Sequence, residues 1–200
     1  MIFFCSDVEG VWIPEVWISV AVKTRIDELK LTTRDLKDYD QLMRHRIKIL
    51  KEHKLTLTDI QQVISTIQPL DGAVDMLNWI RSVSQIAMVS DTFTEFATPL
   101  MARLGWPTLY CNYLTVDEHN MITGYHLRQP DQKKKVVKAL KSLNYTVVAF
   151  GDSYNDINML KEAHQGILFR PPQKVKDDFP QFPVAHEYTE LKKLLEKHLE

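Results

Sequence analysis

Cysteine is scarce in this chain: there are two in 200 residues, Cys5 and Cys111, with no CxxC spacing. That argues against a disulfide framework or a thiolate zinc site and fits a reducing, cytoplasmic compartment. An excess of one charge is missing too. Lys and Arg number 25 against 26 Asp and Glu, a net charge of −1, so bulk electrostatics point to no nucleic acid and no anionic membrane. The longest apolar approach, residues 11–22, is broken by Pro14 and Glu15 and is too short to span a bilayer. No basic segment precedes the apolar start, which Asp7 and Glu9 interrupt, so a secretory signal is not expected. Several catalytic signatures are absent as well. There is no GxxxxGK loop, and the seven histidines show no HExxH or HxxH spacing. Cys5 is followed six positions later by Val11, where a cysteine-dependent phosphatase needs Arg. Internal repeats, low-complexity tracts and structureless linkers are not seen.

What is present is an ordinary globular balance, 44% hydrophobic and 26% charged, long enough for one domain or a domain with a small insertion. Residues 3–15, FFCSDVEGVWIPE, stand out. The apolar run Ile2-Phe3-Phe4-Cys5 reads as a buried strand that stops at Ser6-Asp7-Val8-Glu9-Gly10. In an open α/β sheet, chemistry collects at the carboxyl ends of strands. Two acids two residues apart at such an end call for a cation or a proton between them.

After Gly10 the pattern turns helical, with Pro14 opening a helix over 16–22 and a Thr- and Asp-rich connection over 30–40. The spacing predicts an amphipathic helix over 39–53, with Leu42, Met43, Ile47, Ile49 and Leu50 on one arc. Arg46 falls in the middle of that arc. A short helix over 58–67 is expected, capped by Thr58 or Asp59 and ended by Pro69. From Asp71 strands and helices alternate. A helix over 72–81 buries Ala73, Met76, Leu77 and Ile80. A strand over 85–89 ends at Ser90-Asp91-Thr92, and a helix follows to Leu104, with Pro99 inside it and Gly105 as its stop. Residues 108–127 suggest a hairpin around Glu118-His119-Asn120. A helix over 132–143 turns Val136, Ala139, Leu140 and Leu143 inward. A strand over 145–150 ends at Gly151-Asp152, then come a helix over 155–163, a strand over 166–169 and a closing helix over 189–199. Trp12, Trp17, Trp79 and Trp106 fall at apolar positions and are expected in the core or at an internal interface. The alternation implies an α/β fold, a doubly wound parallel sheet. Residues 14–70 read as a helical insertion over that sheet, with 1–13 and 71–200 forming the core.

Three strand ends carry polar clusters: Asp7/Glu9, Ser90/Asp91/Thr92 and Asp152/Asn155/Asp156. Asp7 and Asp152 offer the hard oxygens that suit Mg²⁺, and Ser90 offers a hydroxyl for a phosphate oxygen. The lysine run Lys133 to Lys135 opens a helix, against the macrodipole's preference for acids there. It reads as a solvated face or as a phosphate-neutralising charge. Together these are the parts of a phosphoryl-transfer site.

The pattern resembles the four motifs of the haloacid dehalogenase superfamily. Asp7-Val8-Glu9-Gly10-Val11 is similar to the first, usually Asp-x-Asp-Gly-Thr/Val; Ser90-Asp91-Thr92 to the second; Lys133 to the third; and Gly151-Asp152-Ser153-Tyr154-Asn155-Asp156 to the acidic fourth. The resemblance implies a Rossmann-like core with a small cap after the first strand. It implies Asp7 as nucleophile, Glu9 as acid/base, Lys133 in catalysis and phosphate binding, and Asp7, Glu9, Asp152 and Asp156 around Mg²⁺. Glu9 stands where the family usually has Asp, and Asp91 where related enzymes often have Gly. The added methylene of Glu9 shifts its carboxyl, and a slower water step would let another alcohol capture the phosphoryl group.

Substrate choice is then expected from the insertion. Arg46 reads either as a snorkelling or ion-paired arginine or as a forked carboxylate reader. Glu15 reads either as a first-turn acid or as a partner for an ammonium group. One Arg and one Glu over a phosphate site describe a phosphorylated α-amino acid, held also by Ser90, Asp91 and Asn155. Within the superfamily the chain is most similar to phosphoserine phosphatases, in particular the group that also transfers phosphate to homoserine. The resemblance rests on the first motif, Pro14-Glu15-x-Trp17, the Arg46 helix and the second and fourth motifs. A small-molecule phosphoamino acid substrate and a monomer or homodimer are expected. The alternatives are a phosphatase for another small phosphate ester and a non-catalytic, regulatory protein on the same fold that binds an amino acid or phosphoamino acid.

Overall fold

Phe4 and Cys5, consecutive and both fully buried, point to opposite faces of the central strand β1 (Ile2–Ser6). In the computed structural model, which describes residues 1–32, 35, 36 and 38–199, two hydrophobic clusters lie on the two faces of one sheet. Phe4, Val148 and Phe150 join Trp12 and the helices before the second strand; Cys5, Val147 and Ala149 join Val136, Val137 and Leu140. The other strands are β2 (Gln85–Phe93), β3 (Thr108–Val116), β4 (Ile122–His126), β5 (Thr146–Gly151), β6 (Gln165–Phe169) and β7 (Val184–Ala185). They run in the order β4-β3-β2-β1-β5-β6-β7, and every ladder is parallel except β3 with β4. Covering both faces with helices is what allows the parallel strands to be apolar throughout. This is the doubly wound α/β architecture the alternation predicts. Among the described residues no helix is long and apolar enough to cross a membrane.

Among the described residues, four α-helices lie between β1 and β2, α1 (Val16–Thr24), α2 (Tyr39–Glu52), α3 (Leu57–Ile64) and α4 (Ala73–Val83), with a 3-10 turn over Asp27–Lys30 after the first. α1 begins two residues after Pro14, with Glu15 as its N-cap. The connection expected over 30–40 includes Thr33, Arg34 and Lys37, which lie outside the described residues. α2 buries Leu42, Met43, Arg46, Ile49 and Leu50, and Asp38 caps it by accepting from the Asp40 and Gln41 amides. The cap of α3 is Thr56 rather than Thr58 or Asp59. Asp59 supplies the return half of a capping box. Thr58 is occupied elsewhere: its amide and hydroxyl both donate to Asn120 Oδ1 at the tip of the β3–β4 hairpin. α3 also stops before Pro69, where the Ser65 and Thr66 hydroxyls turn onto the Gln62 and Val63 carbonyls.

The remaining helices are α5 (Thr94–Arg103), α6 (Gln132–Ser142), α7 (Ile157–Glu162), α8 (Gln173–Asp178) and α9 (Tyr188–Glu196). Two sequence expectations fail here. α6 turns Lys133, Val136, Val137 and Leu140 inward, leaving Ala139 exposed and Leu143 67% exposed. The buried lysine shares a face with Val136, Val137 and Leu140, and the buried face turns toward it and away from Ala139 and Leu143. Trp106, expected inside, is 65% exposed, just after Gly105 ends the α5 connection. β2 also runs on through Ser90-Asp91-Thr92 to Phe93, with a register irregularity between Val89 and Phe93. Such a break re-aims side chains at a strand end.

Candidate active site

Because β2, β1 and β5 are adjacent and parallel, their carboxyl ends open at one edge. Asp7 follows β1 directly, and its amide donates to Phe150 O of β5 at 3.1 Å. Asp152 follows β5, and Asp156 closes the short 3-10 turn Tyr154–Asp156. The first turn of α6 delivers Lys133 into the same place. Its Nζ lies 2.9 Å from Asp7 Oδ2, 2.7 Å from Asp156 Oδ1 and 3.9 Å from Asp91 Oδ2. Asp156 Oδ2 accepts the Asp152 and Ser153 amides at 3.0 and 3.1 Å, and Asp7 Oδ1 accepts the Val8 amide at 2.7 Å. Gly10 is needed for closeness as well as for its φ of 74°: a Cβ there would meet the Asp152 carboxyl at 2.7 Å. A Cβ on Gly151 would collide with Asp156.

Ligand oxygens of Asp7, Asp152 and Asp156 lie within 4.8 Å of one another, all buried. Three buried carboxylates facing one lysine leave net negative charge, and hard oxygens at that spacing fit a small divalent cation such as Mg²⁺. The side chain of Glu9, expected with them, is not in this group. Its Oε2 accepts the Val16 amide at 2.8 Å, an orphan donor at the start of α1 that draws the carboxylate away from the acids.

Burial raises the pKa of Asp7 well above the usual carboxylate range. Asp156 adds to this, and Lys133 opposes it. For Lys133 burial works toward loss of the proton, but Asp156, Asp7 and Asp91 outweigh it and hold the ammonium charged. Burial and then Glu15 push Glu9 up to about 8, against the Val16 amide and Arg46.

Above these acids a cavity of about 110 Å³ lies between the sheet edge and α1 and α2. Its walls include Glu9, Glu15, Arg46, Ser90, Asp91 and Asn155, so every expected substrate-binding residue except Lys133, which sits just beneath, lines one pocket. Arg46 is buried, its guanidinium 4.5 Å over the Trp17 ring with one donor on Leu31 O at 2.9 Å. Among the described residues its Nε has no hydrogen-bond partner. Burial lowers its pKa to about 10, so it stays charged. Glu15 makes no side-chain cap bond to α1, which frees its carboxylate to line the pocket. Ser90 Oγ accepts the Thr92 amide at 3.2 Å. Asp91 is held from both sides, by Gln132 Nε2 at 3.0 Å and Asn155 Nδ2 at 3.2 Å. Sequence reasoning missed Tyr39 and Gln132. Tyr39 shares a helix face with Arg46 seven residues on, and Gln132 precedes the inward lysine; neither signal says more than that.

The sequence pattern of the haloacid dehalogenase-like hydrolases matches residues 9–164. A Pseudomonas aeruginosa protein named "Phosphoserine phosphatase ThrH" is 55% identical over 189 residues, covering 94% of this chain and 92% of that protein. A "Phosphoserine phosphatase" of Pseudomonas syringae pv. tomato is 54% identical over 189 residues, covering 94% of this chain and 80% of that one. A solved structure named "Phospho-Aspartyl Intermediate Analogue of Phosphoserine phosphatase" shares the fold, with a TM-score of 0.79 at 20% identity, over 98% of this chain and 97% of that one.

Proposed function

Since the chain belongs to the haloacid dehalogenase-like hydrolases, we propose that it is a Mg²⁺-dependent phosphoserine phosphatase that works through an aspartyl-phosphate on Asp7. The observation that carries this is the pairing of two half-sites in one pocket. Lys133 bridges Asp7 and Asp156 below, and Arg46 and Glu15, opposite in charge, both line the walls above. The names of the Pseudomonas relatives support the same substrate.

Residues 14–70 act as a substrate-selecting cap on a core made of 1–13 and 71–200. Arg46, which lines the pocket wall, takes the carboxylate of phosphoserine with its forked donors, and Glu15 takes the ammonium group. Ser90 and Lys133 hold the phosphoryl oxygens. Held by Asp7, Asp152 and Asp156, Mg²⁺ would supply positive charge facing the transferring phosphoryl group. An Asp7 oxygen attacks phosphorus as the bond to the serine oxygen breaks, and Glu9 gives that oxygen its proton. Glu9 then takes a proton from water as water attacks phosphorus, which frees phosphate and restores Asp7. The Val16 amide holds Glu9 Oε2, and a water step slowed by that tether leaves time for a second alcohol. Transfer to homoserine is therefore proposed as a second activity.

The test is phosphate release from phosphoserine with and without Mg²⁺. Release that needs the ion and yields phosphohomoserine when homoserine is added supports both activities. No turnover of any small phosphate ester would sink the enzyme reading and leave a binding protein.

A further inference from the structure

Two neighbouring residues at the start of α2 reach two different strands. Asp40 turns outward and accepts the Tyr125 hydroxyl of β4 at 2.6 Å, on the exposed side. Tyr39 turns inward, where its hydroxyl donates to the Asp91 carbonyl of β2 at 3.1 Å. Only the second bond lies in the pocket wall. Burial, then the nearby Asp91 carboxylate, raise the phenol's pKa, so it remains a donor. The Tyr39 ring packs edge-on to Tyr125, which fixes its direction.

The two ends of this bond matter for different parts of the substrate. Asp91 follows Ser90, at the phosphate end. Tyr39 begins the helix that carries Arg46 seven residues later, two turns along and on the same face. A single hydroxyl thus joins the strand end that receives the phosphoryl group to the helix that reads the amino acid. Among the described residues Arg46 is held by the Leu31 carbonyl, the Met43 sulfur and the face of Trp17, with the charges of Glu9 and Glu15 nearby.

We propose that Tyr39 is a positioning residue for Arg46: its bond to the Asp91 carbonyl holds α2 closed over the pocket and so sets the guanidinium against the substrate's carboxylate. The inference rests on the phosphoserine reading for its substrate, and on the geometry of α2 for its mechanism. It makes Tyr39 a determinant of amino-acid specificity rather than of phosphoryl transfer.

Tyr39→Phe keeps the ring and removes the bond. It is expected to raise KM for phosphoserine about fivefold, the usual effect of one lost neutral hydrogen bond, with kcat held within about twofold. KM for phosphoethanolamine, which lacks the carboxylate, stays unchanged. In an Arg46→Ala background the Tyr39→Phe effect on phosphoserine disappears, because the two residues act in series. Tyr125→Phe, which removes the outer bond, leaves KM for both esters unchanged. In the ligand-free protein, α2 amides exchange about fivefold faster in Tyr39→Phe. Equal KM changes on both esters, additive effects with Arg46→Ala, or a matching effect from Tyr125→Phe would each overturn the proposal. Should the unmodified protein not turn over phosphoserine, the substrate reading fails, and amide exchange alone decides the role of Tyr39: unchanged exchange refutes it.

Discussion

Lys133 Nζ sits between Asp7 and Asp156, and burial by itself would favour loss of its proton. The acids keep it charged, and it keeps them from repelling one another. Lys133→Met should therefore cost about 3–5 kcal/mol, the usual effect of breaking a buried pair from one side. Thermal unfolding without added metal measures this, and the loss should shrink as pH falls. The sign follows from Asp7, whose native pKa is raised above its unfolded value. Such a group favours the fold below the unfolded pKa, and that contribution is lost as pH rises through the native one. Glu9 makes a second pH prediction. Held near 8, it is protonated below that value, as the proposed donation to the leaving serine oxygen requires. kcat/KM for phosphoserine should fall as pH rises through about 8, with bound cation moving this limb lower, and Glu9→Gln should abolish the limb. Asp7, Lys133 and Arg46 were legible in the sequence because each breaks a local rule: an acid where an apolar strand ends, a base at a helix start, a charge on an apolar arc. The placement of Glu9 was not, because the Val16 amide that captures it belongs to the next element. Spacing along a chain carries no information about that choice.

The helical segment is fastened to the sheet at element scale. The β3–β4 tip reaches α3: Asn120, at a φ of 62°, accepts the Leu57 amide with its carbonyl and the Thr58 amide and hydroxyl with its side chain. Asn120→Ala should cost about 1–2 kcal/mol, combining a lost cap with an alanine forced to positive φ. Asn120→Gly keeps the backbone at ease and should cost less. Urea unfolding of the two variants separates the terms. The hairpin was expected from the alternating pattern of 108–127, but its contact with α3 was not, since 62 residues separate Thr58 from Asn120. The same limit explains α6. Its apolar residues alone suggest one face, and only the buried acids at the ends of β1 and β5 show why Lys133 belongs on it.

For the whole molecule, strand–helix alternation was enough to predict a doubly wound sheet, because apolar runs bounded by turn signals repeat along the chain. The order β4-β3-β2-β1-β5-β6-β7 was not readable, since nothing local says which strands become neighbours. Yet that order makes the site: β1 lies between β2 and β5, and the three polar strand ends converge only for that reason. A net charge of −1 likewise conceals a buried concentration of acid at one sheet edge. The proposed mechanism requires that Asp7 receive the phosphoryl group. A single turnover of phosphoserine labelled at phosphorus, quenched in acid and digested, measures it directly. The label should appear on the peptide carrying Asp7 and be absent from Asp7→Asn; full turnover with no label ever on the protein, or label on a different residue, would contradict the claim.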